Sequence, residues 1–371
     1  MHKSILLRDS TLREGLEVPQ IALDDSAKAQ VVELLVGLGV SAFELVGPAT
    51  VERNLTLASL VSRDKALIKS AIVPLLSADR VKRLSRLLEF GINQVDLLLH
   101  VSEARLNSSF PADPGARIRR IVDDFERVLS EAKQTGIPSV CIGLGDAFRA
   151  QPTFLCILAK QLSDLKPDHI VLYDTVGIAI PSHVSRLIQE LQKTVRIPLH
   201  CHFHNDLGMA TANTIVAIES GAVGADVTIG GIGDRCGNAC LEEVVLAAEL
   251  RLGCSTGLKL SRLTEVSRAI RGIFGLPPAP SAPVVGDHAF AHSTASHYHA
   301  MLMESSEAYE PYSPQIVGQV RRFQIDDSAE LALALQTWYA RNGLSHVNVR
   351  SIIEHNRGRI LTEAQLIEIA K

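Results

Sequence analysis

No two of the six cysteines, at 141, 156, 201, 236, 240 and 254, are spaced as CxxC, and most sit inside apolar runs. That argues against disulfides and against a zinc–thiolate cluster, and for reduced, buried thiols. No stretch approaches the roughly 18 uninterrupted apolar residues of a membrane span. The N-terminus, MHKSILLRDSTLREG, carries too short an apolar run for a secretory signal. No membrane partner is therefore expected, and a cytoplasmic location is. A basic excess is missing as well: 37 Lys and Arg face 41 Asp and Glu, a formal net charge of −4, so nothing offers the electrostatic footprint of a nucleic-acid binder. Nor does a GxGxxG follow the first strand-like run, which removes the fingerprint of a doubly wound dinucleotide-binding sheet. What is present is a chain of 371 residues, 46% hydrophobic, long enough for one large domain and an accessory region.

Eight short β-type runs recur along it: SILLRD (4–9), AFELV (42–46), LIKSAIV (67–73), QVDLLLH (94–100), SVCIGL (139–144), HIVLYDT (169–175), LHCHFH (199–204) and ADVTIGG (225–231). Amphipathic stretches separate them, among them 25–39, 78–91, 117–136 and 207–221, with apolar residues at helical spacing. Eight strand–helix alternations within about 250 residues are the size and order of an α/β (β/α)8 TIM barrel, whose site lies where the strands end. The expected division is a barrel over 1–255, a linker and lid region over 256–325 that includes LPPAPSAPVVGD, and a small helical C-terminal subdomain over 326–371.

The stretch HCHFHNDLG (200–208) sets three histidines at alternate positions, and in a strand these share one face. Imidazoles packed together in a core are costly unless something binds them, and a divalent metal is the favoured partner. Arg13 and Glu14 fall on the loop after the first strand, Glu44 ends the second, Asp174 and Thr175 end the sixth, His202 and His204 end the seventh, and Asn238 follows the eighth. A carboxylate, two imidazoles and an amide oxygen suit Mg2+, Mn2+ or Zn2+. Arg13 beside them is a partner for an oxyanion, although Arg13 and Glu14 alone read equally well as a rim salt bridge.

RDSTLREG (8–15), ELVGP (44–48), DTVG (174–177), HCHFHNDLGMATAN (200–213), GIGDRCGN (231–238) and FAHSTASHYHA (290–300) together resemble the DRE-TIM metallolyase family, in its Claisen-condensing branch of homocitrate and isopropylmalate synthases. The resemblance implies an enzyme that condenses acetyl-CoA, or another acyl-CoA, with a 2-oxo acid. It implies a divalent metal on Glu14, His202 and His204 with Asn238 at or near it. Arg13 would steady the enolate and the 2-oxo oxygen, with Glu44 also at the substrate, and Thr175 would hold the substrate carboxylate. His297 would be the catalytic base and Tyr309 the lid tyrosine. Gly231, Gly233 and Arg235 would lie along the CoA arm. A homodimer follows from the same resemblance.

Departures narrow the reading. Where the family has a glutamate after the fifth strand, and polar or basic groups before it, this chain reads Cys141, Gly143 and Gly145 ahead of Asp146. Asp146 and Glu17 are then the substitutes for the proton relay. Ala71 and Glu17 also depart from the homocitrate synthase pattern, which points away from 2-oxoglutarate and toward a different 2-oxo acid, including a phosphonate-bearing one as phosphonomethylmalate synthases use. Two other readings stay open: a retro-Claisen lyase of the hydroxymethylglutaryl-CoA type, kept by Cys236, and a metal-binding relative without catalysis.

Overall fold

The computed structural model describes residues 3–48, 54, 55, 57, 58, 61, 66–106, 110–304 and 308–371. Eight parallel strands close into a barrel in chain order: β1 (Leu6–Asp9), β2 (Ala42–Val46), β3 (Ile68–Pro74), β4 (Gln94–His100), β5 (Ser139–Gly145), β6 (Ile170–Asp174), β7 (Leu199–Phe203) and β8 (Gly224–Val227). Closure comes from β8 pairing with β1, Leu6 opposite Gly224 and Asp9 opposite Val227. The helices between them start where the sequence supplies caps. Asp24 accepts from the Ala27 amide ahead of the helix Asp25–Leu38, and Asp113 does the same for Pro114–Gln134, with proline in its first turn. Arg13 and Glu14, expected on a loop, lie instead in a single helical turn, Thr11–Gly15, that follows β1 directly.

Alternation along each strand sends every second side chain into the barrel, and here the interior is strongly polar. Arg8 is 1% exposed. Its five N–H groups find five acceptors: Asp226 Oδ1 at 2.6 Å and Oδ2 at 3.0 Å, Asp96 Oδ2 at 2.7 Å, Ser70 Oγ at 3.1 Å and Glu44 Oε1 at 3.3 Å. A buried guanidinium is tolerable only when paired and fully hydrogen-bonded, and this one is both. Beside it Ile72, Val171 and Tyr173, with Leu98 packed against them, form a small apolar cluster inside the barrel.

The chain divides into two compact units. The first holds the barrel, up to Leu258 with Ile273–Gly275, and the second comprises Lys259–Gly272 and Leu276–Lys371. In the second unit a three-stranded sheet forms from β9 (Ala291–His292), β10 (Arg322–Gln324) and β11 (Ile360–Thr362). This differs from the expected lid followed by a helical subdomain. The sheet joins both stretches, and Tyr298, Met301 and Phe323 share one apolar core with Leu331, Leu335, Trp338 and Leu366. The segment read as purely helical also contains β11, ahead of the helix Glu363–Ile369 with its Thr362–Gln365 capping box.

Candidate active site

The strand ends bring Glu14, His202 and His204 together, with ligand atoms within 4.8 Å of one another and all three residues buried. His202 Nδ1 lies 2.9 Å from Asp226 Oδ2, and His200 Nε2 lies 2.8 Å from Asp226 Oδ1, so one carboxylate orients both rings. With Nδ1 committed, His202 presents Nε2 to the cluster, the arrangement of a carboxylate-supported metal ligand. Asn238 is placed by a backbone bridge to His204, and its Nδ2 sits 3.1 Å from His202 Nε2 and 3.5 Å from His204 Nδ1. Rotating that amide puts its oxygen in the same place. Gly233 is required here, because a Cβ would come 1.8 Å from Asn238 Oδ1.

Three features fit a divalent cation. Asn238 Oδ1 is buried with no hydrogen-bond partner, a costly state unless something else binds it, and the buried Glu14 Oε1 faces both imidazoles, 3.1 Å from His202 Nε2 and 3.8 Å from His204 Nε2. The interior charges do not balance either, since Arg8 and Arg13 face four buried carboxylates, Glu14, Glu44, Asp96 and Asp226. The two neutral-capable imidazoles with a carboxylate form a mixed N/O donor set. Burial holds the His204 ring neutral, its pKa pushed down to about 3 against the pull of Glu14. Burial opposes charge on His202 too, but hydrogen bonds to Asp226 and Glu14 prevail and raise it to about 9, so protons and a cation compete for this pocket.

Arg13 Nη1 pairs with Glu14 Oε1 at 2.6 Å, and Nε and Nη2 reach Glu44 Oε2 at 2.8 and 2.5 Å. Glu44, expected at the substrate, is fully buried and bonded to Arg13, Arg8, Ser10 and Tyr173. The structure makes it a clamp for the two arginines. Thr175 Oγ1 accepts from the Asp146 amide at 2.8 Å, leaving its own hydroxyl proton to donate. Asp146 adopts a left-handed backbone with φ 57. Burial disfavours its charge, yet hydrogen bonds from Arg149 and Ser102 outweigh that and hold its carboxyl below the usual range, which makes it a weak base. Glu17 is the opposite case: burial above all raises its carboxyl, Arg13 opposes and Glu14 adds to the rise.

Arg235, assigned to the CoA arm, gives its guanidinium to Asp206, Asp234 and the Thr175 carbonyl. Gly231 accepts from the Asn238 amide at 3.0 Å, so this loop serves first to seat Asn238. In the second unit His297 Nδ1 lies 3.2 Å from His292 Nδ1, whose Nε2 meets Glu310 Oε1 at 3.2 Å, and Tyr309 stacks on His297 at 3.9 Å between centroids. The sequence reading missed Arg8, Asp96 and Asp226. It also missed His100, whose ring fills the space beside Gly145, where a Cβ would come 2.5 Å from His100 Nδ1.

The HMGL-like family model matches residues 4–270. A (R)-citramalate synthase of Methanocaldococcus jannaschii is 31% identical over 373 residues, covering 98% of this chain and 73% of the relative. A 2-isopropylmalate synthase of the same organism is 31% identical over 318 residues, covering 86% of this chain and 60% of its own length. The chain likewise spans only 63% of an Archaeoglobus fulgidus relative to which it is 32% identical. Among solved structures, the Bacillus subtilis HMG-CoA lyase superposes with a TM-score of 0.62 at 22% identity, covering 75% of this chain and 96% of that one. That likeness speaks to the fold, a (β/α)8 barrel. No helix among the described residues is long and apolar enough to cross a membrane. The matched span takes in both halves of the strand-end cluster, Glu14 with its arginine and the paired histidines, and this chain belongs to the HMGL-like family, the DRE-TIM metallolyases.

Proposed function

We propose that this protein condenses acetyl-CoA with a 2-oxo acid whose side chain is small and apolar. The observation that carries this reading is the buried Glu14–His202–His204 cluster with Arg13 at its edge. Glu14, His202 and His204, with Asn238 beside them, would hold a divalent cation, which when bound would supply Lewis-acid polarisation of the keto group. Arg13 keeps two N–H groups free of its carboxylate partners and turns them on the oxyanion that develops at C2. Thr175 donates its hydroxyl to the substrate carboxylate. The base that takes a methyl proton from the thioester is assigned to His297, with His292 and Glu310 behind it and Tyr309 stacked on its ring. The resulting carbanion equivalent forms the C–C bond to C2, the ketone becomes an alcohol, and water cleaves the thioester to release CoA. Glu17, with its raised carboxyl, is the nearby group suited to return a proton. Gly231, Gly233 and Arg235 shape the loop along which the CoA arm is expected to lie.

The choice of substrate side chain rests on the cluster of Ile72, Leu98, Val171 and Tyr173, the last with its ring 5.1 Å from that of His202. Relatives named for citramalate and isopropylmalate synthesis agree with it. Thiol release from acetyl-CoA is to be measured with pyruvate, 2-oxoisovalerate, 2-oxoglutarate and phosphonopyruvate. Turnover with one of the first two and its loss, together with the metal, in His204→Ala supports the reading. Activity only as cleavage of a hydroxyacyl-CoA assigns a lyase instead, and a metal retained in His204→Ala removes the site.

A further inference from the structure

A second cluster of ligating groups lies nearer the strand starts and takes no part in the chemistry above. Asp96, Cys141 and His169 each present a ligand atom, and these atoms lie within 4.8 Å of one another. The register sets Asp96 directly opposite Cys141, and His169 immediately precedes β6, its carbonyl accepting from the Ile142 amide. Cys141 Sγ lies 3.2 Å from His169 Nδ1. Asp96 gives Oδ2 to Arg8 and Tyr173, while its Oδ1 is buried without a hydrogen-bond partner in a fully buried residue. His169 Nε2 is a second buried atom without one. Glu44, His202 and Asp226 also come this close, but Arg8, Arg13, Ser10 and the histidines already occupy their oxygens, so that trio has nothing left to offer a cation.

We propose that Asp96, Cys141 and His169 bind a second divalent ion of the zinc type, tying β4, β5 and β6 together. One sulfur, one imidazole nitrogen and one carboxylate oxygen form a donor set that a borderline-soft tetrahedral ion accepts and that Mg2+ does not. The Ser139 hydroxyl, 3.8 Å from Cys141 Sγ, or a water completes the fourth position. Ser139 and His169 are only half-buried, which gives an ion a way in from the strand-start side. On binding, the Cys141 S–H bond breaks, sulfur bonds to the ion and the proton leaves to solvent, with no change of oxidation state. The proposal is independent of the condensation reading.

The test is a Co2+ titration of the chelator-stripped full-length protein, followed by near-ultraviolet absorbance and elemental analysis. Glu14, His202 and His204 contain no sulfur, so a thiolate-to-cobalt charge-transfer band reports on the second site alone. The expected result is about two ions per chain together with that band. Cys141→Ser should abolish the band and drop the count to about one, whereas His204→Ala should lose an ion and keep the band. Cobalt-loaded parent protein without the band, or a band that survives Cys141→Ser, overturns the proposal. If Cys141→Ser does not fold, His169→Gln leaves the thiol in place, and a stoichiometry unchanged from the parent overturns it equally.

Discussion

Replacing Arg13 by lysine separates a catalytic from a structural role for that side chain. A guanidinium has five N–H donors in a fixed fork. Nε and Nη2 each spend one on Glu44, and Nη1 spends one on Glu14. Two donors, one on each terminal nitrogen, are left for an oxyanion. An ammonium has three, spread from a single point, and once Glu14 and Glu44 are held only one remains, aimed by neither a plane nor a second contact. The charge persists, so Glu44 keeps a cation and the chain should fold. Arg13→Ala is unsuitable because it strands a buried carboxylate at a cost of about 3–5 kcal/mol. For Arg13→Lys the expected loss is that of one oxyanion donor, about 2.7–4 kcal/mol or roughly 10²–10³ in kcat. The assay is thiol release at saturating 2-oxo acid, with metal content measured on the same preparation. A variant turning over within about threefold of the parent, with its metal in place, refutes the reasoning and leaves Arg13 as a tie between two glutamates. Loss of the metal instead shows that its task is to hold Glu14.

In His297→Ala the metal and 2-oxo acid should still bind while condensation falls by roughly 10²–10⁴. Exchange of acetyl-CoA methyl protons with deuterated water, followed by NMR beside an unreactive 2-oxo acid mimic, should slow in step, and an unchanged exchange rate moves the base elsewhere. Gly233→Ala drives a methyl into Asn238 and should cost about 1–3 kcal/mol of stability along with metal affinity; an unchanged melting temperature and metal content would show that the loop yields freely. Glu17 has a folded-state pKa above its unfolded value, so its contribution to stability is present below the unfolded pKa of about 4.3 and is lost as pH rises through the raised one. Glu17→Gln should therefore gain thermal stability over the parent at about pH 7 and lose that gain at about pH 4, and an equal difference at both values would show that Glu17 is not perturbed.

Legibility from sequence followed periodicity. All eight barrel strands were readable because each is a run of four to seven residues bounded by amphipathic helix, and the histidines declared their shared face through a spacing of two. Residues whose meaning depends on a partner far along the chain were not readable in that way. Arg8 stands at the polar end of an apolar run, and Asp96 and Asp226 stand as lone acids in theirs. A single acidic residue inside an otherwise apolar strand is the signal that could have found Asp96 and Asp226, and Arg8 beside Asp9 offered no such contrast. Glu44 was read as the end of its strand, whereas β2 runs on to Val46, and which group it faces is decided across the barrel by Arg13 and Arg8. The three strands of the second unit are two or three residues each, too short for any alternation to register.

The hub at Arg8 also bears on how the chain reaches its native state. Its acceptors come from β2, β3, β4 and β8, at sequence separations from 36 to 218 residues. A growing chain that has made the first four strands can offer Arg8 its earlier partners, but Asp226 arrives only with the last strand. Until then one side of the guanidinium must stay hydrated, which works against sealing a partial barrel around it. Desolvation and closure are thereby joined in one late event, and half-barrels, common as an idea for how such folds are built up, should be poor resting states for this sequence.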